Sequence, residues 1–208
     1  MDVHTLTRVS LHGVAEGVLA GPQLRESGTI RLRVLQGGFA TTREPLLRVA
    51  GTDLVLGTGE RIPMTGTFQA LAEAAGVAFG PPGIYADHAP VAADDDLLLD
   101  EAAAARIAAW FERGRQALAS FAPAETPVLW PEHFDLAITA REVNYGVSPG
   151  DGFLAEPYAY VGPWSFDAPS PFWNAPFGAV RTAAELPSAE SMARFFRNGQ
   201  EQAARLQG

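Results

Sequence analysis

The apolar residues of this chain repeat with two different periods, and the switch between them limits what it can fold into. In "GTIRLRVL", Ile30, Leu32 and Val34 alternate with Arg31, Arg33 and Leu35, the period of two that a half-buried strand needs. "PLLRVAG" and "TDLVLGTGE" follow as two further short strands joined through Gly51-Thr52-Asp53, so residues 29–64 read as an antiparallel meander. Ahead of them, "HTLTRVSLHGVAEGVLAGPQ" carries Leu11, Val14, Ala15, Val18 and Leu19 at helical spacing, with Gly21 and Pro22 as the stop. Gly13 and Gly17 weaken that helix, each by up to about 1 kcal/mol against alanine.

Both periods return further on. "TFQALAEAAGV" is a short helix with Thr67 as its N-cap and Gly76 at its end. Residues 78–96 are rich in Gly, Pro, Ala and Asp and read as a linker or a long surface loop. "DEAAAARIAAWFERGRQALASF" is a helix capped by Asp100, with Ile107, Trp110, Phe111, Leu118 and Phe121 on its apolar face. "FDLAITA", "VNYGVSP" and "EPYAYVGPW" read as three strands, "DAPSPFWNAPFGA" as irregular chain, and "SAESMARFFRNGQEQAARL" as a last helix capped by Ser188. The expected class is α+β: antiparallel sheet with meander strands in both halves and about four packed helices. Residues 1–208 are expected to form one domain, with candidate sub-units 1–77 and 100–208 joined by the loop 78–99. "WFERGRQAL" weakly echoes "FFRNGQEQA", which fits either an internal duplication or the ordinary similarity of alanine-rich helices.

Composition removes several chemistries. The chain has no cysteine, which excludes thiol catalysis, thiolate metal sites and disulfides. All 15 basic residues are arginines, which excludes Schiff-base chemistry and the lysine of a phosphate loop. A formal net charge of −9 repels phosphate backbones and anionic bilayers, so neither nucleic acid nor membrane is an expected partner. No run approaches the roughly 18 apolar residues of a membrane span, and "MDVHTLTRVSLHG" lacks a basic segment followed by an apolar one, so a soluble cytoplasmic protein is expected. No feature sets an oligomeric state.

Any imidazole chemistry must use His4, His12, His88 or His133. The region 130–177 concentrates Trp130, Trp164, Trp173, Tyr145, Tyr158 and Tyr160 with His133, Asp135, Glu142, Asp151 and Glu156. If "PEHFDLAIT" is extended, Phe134, Leu136 and Ile138 share one face and His133 and Asp135 the other, about 6–7 Å apart. Glu132 falls with the apolar set by parity, beyond the buried part of the strand. In "EPYAYVG", Glu156, Tyr158 and Tyr160 share a face by the same rule.

Three readings follow. A small-molecule ligand with hydroxyl or amine groups would sit against Trp130, Asn144, Tyr145, Tyr158, Tyr160 and Trp164. An acid–base enzyme would use His133, with Asp135 or Glu156 orienting it. A variant makes His133, Asp135 and Glu156 metal ligands. Against these stands a structural or interaction domain whose aromatic block is core. No cofactor is implied. His12 and Glu16, four residues apart on the first helix, could share a metal, but a hydrogen-bonded surface pair is the plainer reading. Asp87-His88 reads as a solvated turn, and Asp94-Asp95-Asp96 lacks the pattern of a calcium loop.

"SGTIRLRVLQGGFATTREPLLRV", "PVLWPEHFDLAITAREVNYGVSPGDGFLAEPYAYVGPW" and "FWNAPFGA" resemble a family of hypothetical proteins from high-GC Gram-positive bacteria. The resemblance spans nearly the whole chain. It implies a cytoplasmic bacterial protein and carries over no activity and no functional residue.

Overall fold

The computed structural model describes residues 2–85, 88–165 and 171–206. Among them are four separate helical stretches and ten strands paired antiparallel, the α+β class that the two periods indicate. The chain divides into two compact units. One is Met1–Ala109 with Leu129–Phe134, the other Trp110–Val128 with Asp135–Gly208, so the division runs through the long helix at Ala109 and not through 78–99.

The first unit opens on one continuous helical run of three parts: α1 (Val3–Gly13), a π-helical segment (Val14–Ala20) and α2 (Gly21–Ser27). Pro22 does not stop it. Its missing N–H leaves one carbonyl of the run to be met from outside, and the run ends instead at Gly28, whose left-handed φ of 71° closes the helix on the Leu24 carbonyl. The π segment has a local cause. Gly21 N–H donates five residues back to the Glu16 carbonyl, and Pro22 has no N–H to offer. The Gly17 carbonyl takes the Gly80 N–H at 3.0 Å instead. That approach needs glycine: a Cβ on Gly21 would lie 1.8 Å from the Gly80 carbonyl oxygen, and one on Gly17 would lie 2.2 Å from the Phe79 ring. The glycines that weaken the helix by propensity are the ones that let residues 79–80 lie against it.

The meander follows as β1 (Leu32–Leu35), β2 (Gly38–Thr41), β3 (Leu47–Ala50), β4 (Asp53–Leu56) and β5 (Arg61–Pro63), each paired with the next. β2 escapes the alternation rule because all four of its residues are buried, which leaves no polar face to read. β6 (Val128–Trp130) adds to the far side of β1 through Leu32 and Leu129. α3 (Phe68–Ala74) is capped by Thr67, whose hydroxyl accepts the Ala70 N–H at 3.1 Å, and the left-handed Gly76 follows its end. Residues 78–96 hold no helix or strand where described, and Asp87 lies outside the described residues. Asp100 caps α4 (Glu101–Phe121) through the Ala103 N–H.

The second unit holds the rest of α4, then β7 (Asp135–Ala140), β8 (Val143–Ser148), β9 (Tyr158–Pro163) and β10 (Ala179–Thr182) in sequential antiparallel order, and α5 (Ala189–Ala204). Both helices reach the sheet through glycine. A Cβ on Gly114 would meet Val147 at 2.4 Å, and one on Gly199 would meet Val161 at 2.6 Å. Ser188 caps α5, in a reciprocal box with Ser191.

Gly21→Ala tests the first of these approaches. Alanine gains about 1 kcal/mol of helix propensity, but its methyl must displace the backbone at Gly80. The variant is expected to lose about 1–3 kcal/mol in urea unfolding, and a gain in stability would contradict the packing described.

Candidate functional site

The face expected on β7 and β9 forms in part. Register places Ala137, Gly146 and Tyr160 opposite one another, and Thr139, Asn144 and Gly162 likewise. Direct partners point to the same side, so Asp135, Asn144, Tyr158 and Tyr160 share a face. Glycine at 146 is what lets the Tyr160 ring lie across β8, since a Cβ there would sit 2.6 Å from the phenol. The Tyr160 hydroxyl thereby reaches β7 and donates to Asp135 Oδ2. Tyr158 donates to Asp151 Oδ2 at 2.5 Å, and the other oxygen of Asp151 accepts the Phe153 and Leu154 N–H groups. Burial, then the neighbouring carboxylates, hold both phenols well above their usual range.

Other expected members lie elsewhere. β7 begins at Asp135, and Phe134 before it has a left-handed φ of 51°, so the extended alternation that paired His133 with Asp135 does not hold. His133 is exposed in the preceding turn, and Glu156 is exposed ahead of β9. Tyr145 faces the opposite side, 1% exposed between Phe121 and Phe196, and burial pushes its phenol to about 12. It is core. Trp164 is 66% exposed, its indole 3.4 Å from Asn144 Oδ1. Trp130 belongs to β6 in the first unit, under the Arg31 guanidinium. Among the described residues no three His, Asp or Glu side chains are grouped to hold a metal ion, which removes the His133, Asp135 and Glu156 ligand set.

A second polar cluster lies inside the first unit. His12, Glu16 and Glu132 are 8%, 4% and 6% exposed. The expected surface pair on the first helix is therefore an interior one. Every residue from Ser10 to Gln23 is buried, so this helix has no solvated face there. Glu16 Oε2 accepts the Ala89 N–H at 2.7 Å. The His12 ring stacks on Phe134, centroids 5.4 Å apart and planes within 9°. The left-handed turn at Phe134 that ends the strand alternation thus also brings Glu132 inward and a ring onto His12. His12 Nε2 and Glu132 Oε2 have no hydrogen-bond partner among the described residues. Gln23, in the same helical run, shows the ordinary alternative: its amide donates to the Thr29 and Arg31 carbonyls and accepts the Thr42 and Arg43 N–H groups.

Burial sets the electrostatics of this cluster. It pushes His12 down to about 4, against hydrogen bonding to the Pro131 and Glu132 backbone and with the charges of Arg8 and His133. It pushes both Glu16 and Glu132 up, and the charge of Glu132 raises Glu16 further. A neutral imidazole thus stands among two carboxyls that hold their protons to higher pH than usual. The signal available in the sequence was "SLHGVAEGVLAGP", where His12 and Glu16 are the only ionisable residues in a segment otherwise small or apolar all round.

Comparison with protein-family models, with curated proteins and with solved structures finds no match to this chain.

The cluster has a pH signature. His12 titrates at 6.5 when unfolded and at about 4 when folded, so the stability it carries above pH 6.5 is lost as pH falls from 6.5 towards 4. Full expression of that difference is about 3 kcal/mol. Glu16 and Glu132 act in the opposite sense, favouring the fold below the ordinary carboxylate range and losing that contribution as pH rises through their raised values. Urea unfolding of His12→Gln should lack the loss between pH 6.5 and 4 that the parent shows. Parallel profiles would place His12 in solvent.

Proposed function

We propose that the protein binds a small polar organic molecule and moves protons on it, and that the working site is the cluster of His12, Glu16 and Glu132. One observation carries this reading: two of three deeply buried titratable side chains present polar atoms, His12 Nε2 and Glu132 Oε2, with no partner among the described residues. Each such atom costs about 1–3 kcal/mol when left unmet in an interior, and a ligand's hydroxyl, amine or carbonyl would meet it.

The chemistry follows from the environments. Of the two ring nitrogens of His12, Nε2 is the one without a partner among the described residues. His12 is neutral at pH 7 and accepts a hydrogen bond from the ligand. Glu132, pushed up by burial, can give a proton and take it back, and Glu16 raises the cost of ionising both carboxyls together. Groups whose surroundings drive their pKa values apart are the usual basis for assigning acid and base. The π-helical segment supports the reading, since such segments are frequent at working sites.

The aromatic and acidic face of Asp135, Tyr158 and Tyr160 is the second reading. It is favoured by the half-buried Tyr160 beside the exposed ring of Phe177, which in turn packs on the exposed Phe153. On either reading the partner is a small molecule, with nucleic acid and membrane disfavoured by the net charge of −9. No helix among the described residues is long and apolar enough to cross a membrane. A cytoplasmic bacterial setting is part of the proposal.

A thermal-shift screen against small metabolites tests both readings, because a ligand of the native state raises the midpoint. Hits are expected to vanish in Glu132→Gln and His12→Gln and to survive in Tyr160→Phe. Hits lost only in Tyr160→Phe would move the site to the second unit. No hit from a broad screen would favour a structural role.

A further inference from the structure

The meander of the first unit carries a row of arginines that the acid–base reading does not use. Arg33 pairs across to Ala40, Ala40 to Arg48, Arg48 to Val55 and Val55 to Arg61. Residues directly opposite one another on an antiparallel sheet point to the same side, so the five form one line across β1 to β5. Arg33 and Arg48 are two strands apart, roughly 9.5 Å between backbones, and both are exposed. Ala40 between them contributes only a methyl group.

A depression of about 200 Å³ opens at this place, lined by Arg33 and Arg48 together with Leu35, Leu46, Val55 and Leu56. Its lining is therefore apolar apart from the two guanidinium groups and Thr41. Leu46 is 47% exposed there, a large apolar side chain left facing solvent. Charge sharpens the point. Asp53, two residues from Val55 and so on the same face of β4, is engaged by Arg61 at 2.7 Å. The side chains of Arg33 and Arg48 have neither a hydrogen bond nor an ion pair among the described residues. In a chain of net charge −9, two uncompensated cations are held side by side over an apolar floor. Guanidinium is the group suited to planar or tetrahedral oxyanions, which it binds through paired N–H donors.

We propose that this depression binds a small anionic amphiphile. Arg33 and Arg48 converge on a carboxylate or phosphate head group, and the apolar body lies on Leu35, Leu46 and Val55. Both parts are required: the head for the guanidinium pair, the body for the apolar lining.

Isothermal titration calorimetry of the full chain with octanoate, octyl phosphate, octanol and inorganic phosphate tests this and separates the two head groups. At least one of the two anionic amphiphiles should bind below its aggregation concentration, and added salt should weaken it. Octanol and inorganic phosphate should each bind about tenfold more weakly or worse. Arg33→Gln and Arg48→Gln should each cost about tenfold in affinity, and the double variant should abolish binding. Because a variant could fail to fold, the parent protein supplies a second readout: the guanidinium NMR signals of Arg33 and Arg48 should shift on titration. Unchanged affinity in the double variant, equal binding of inorganic phosphate and octyl phosphate, silent Arg33 and Arg48 signals, or no binding of either amphiphile would each overturn the proposal.

Discussion

A carboxylate inside an apolar core costs several kcal/mol unless it is hydrogen-bonded or keeps its proton, and the first unit is arranged around one. Glu16 lies on the π-helical segment, 4% exposed. The Ala89 N–H meets one oxygen, and burial with the nearby Glu132 favours the protonated form. Residues 79–80 lie against the same segment because Gly17 and Gly21 have no Cβ and because Pro22 leaves a carbonyl for Gly80 to satisfy. The irregular chain of 78–96 is therefore tied to the helical run by Gly80 to Gly17, by Ala89 to Glu16, and by Arg25, which donates to the Ala78 and Gly80 carbonyls. These ties act on backbone groups of the loop, so they fix its path with little help from its side chains.

The same economy appears in the second unit with different parts. Tyr160 needs a clear path across β8 to reach Asp135, and Gly146 supplies it. Tyr158 meets Asp151, whose other oxygen closes its own turn on Phe153 and Leu154. There each phenol has a carboxylate and each carboxylate has donors. In the first unit His12 Nε2 and Glu132 Oε2 have none among the described residues.

Period and capping made most of the fold legible. Ile30, Leu32 and Val34, the Thr67, Asp100 and Ser188 caps, and the strands at 135–140, 143–148 and 158–163 follow from local rules that tertiary structure does not override. β2 and β6 were not legible, because a fully buried four-residue strand and a three-residue strand offer no alternation to count. Pro22 misled because a proline reads as a stop unless the turn it occupies is known. At the site, parity held where the chain is extended, giving Asp135, Tyr158 and Tyr160 one face. It failed at Phe134, where a non-glycine residue takes a left-handed φ of 51° that no local pattern announces. That single dihedral leaves His133 in solvent and brings Glu132, peripheral by strand parity, inward. His12 and Glu16 read as a surface pair because the spacing of a pair says nothing of which side of a helix is covered. The apolar character of the whole segment around them was the better guide.

The proton affinities of the buried cluster decide between a working site and a solvated one. An NMR titration that follows the Glu132 side-chain carboxyl carbon in the intact chain reads them directly. A midpoint above the ordinary glutamate value of 4.5 is expected, moving back towards the ordinary range when the protein is unfolded in urea. A midpoint at or below 4.5 in the folded protein would mean that Glu132 is solvated or paired, and would contradict the acid–base site.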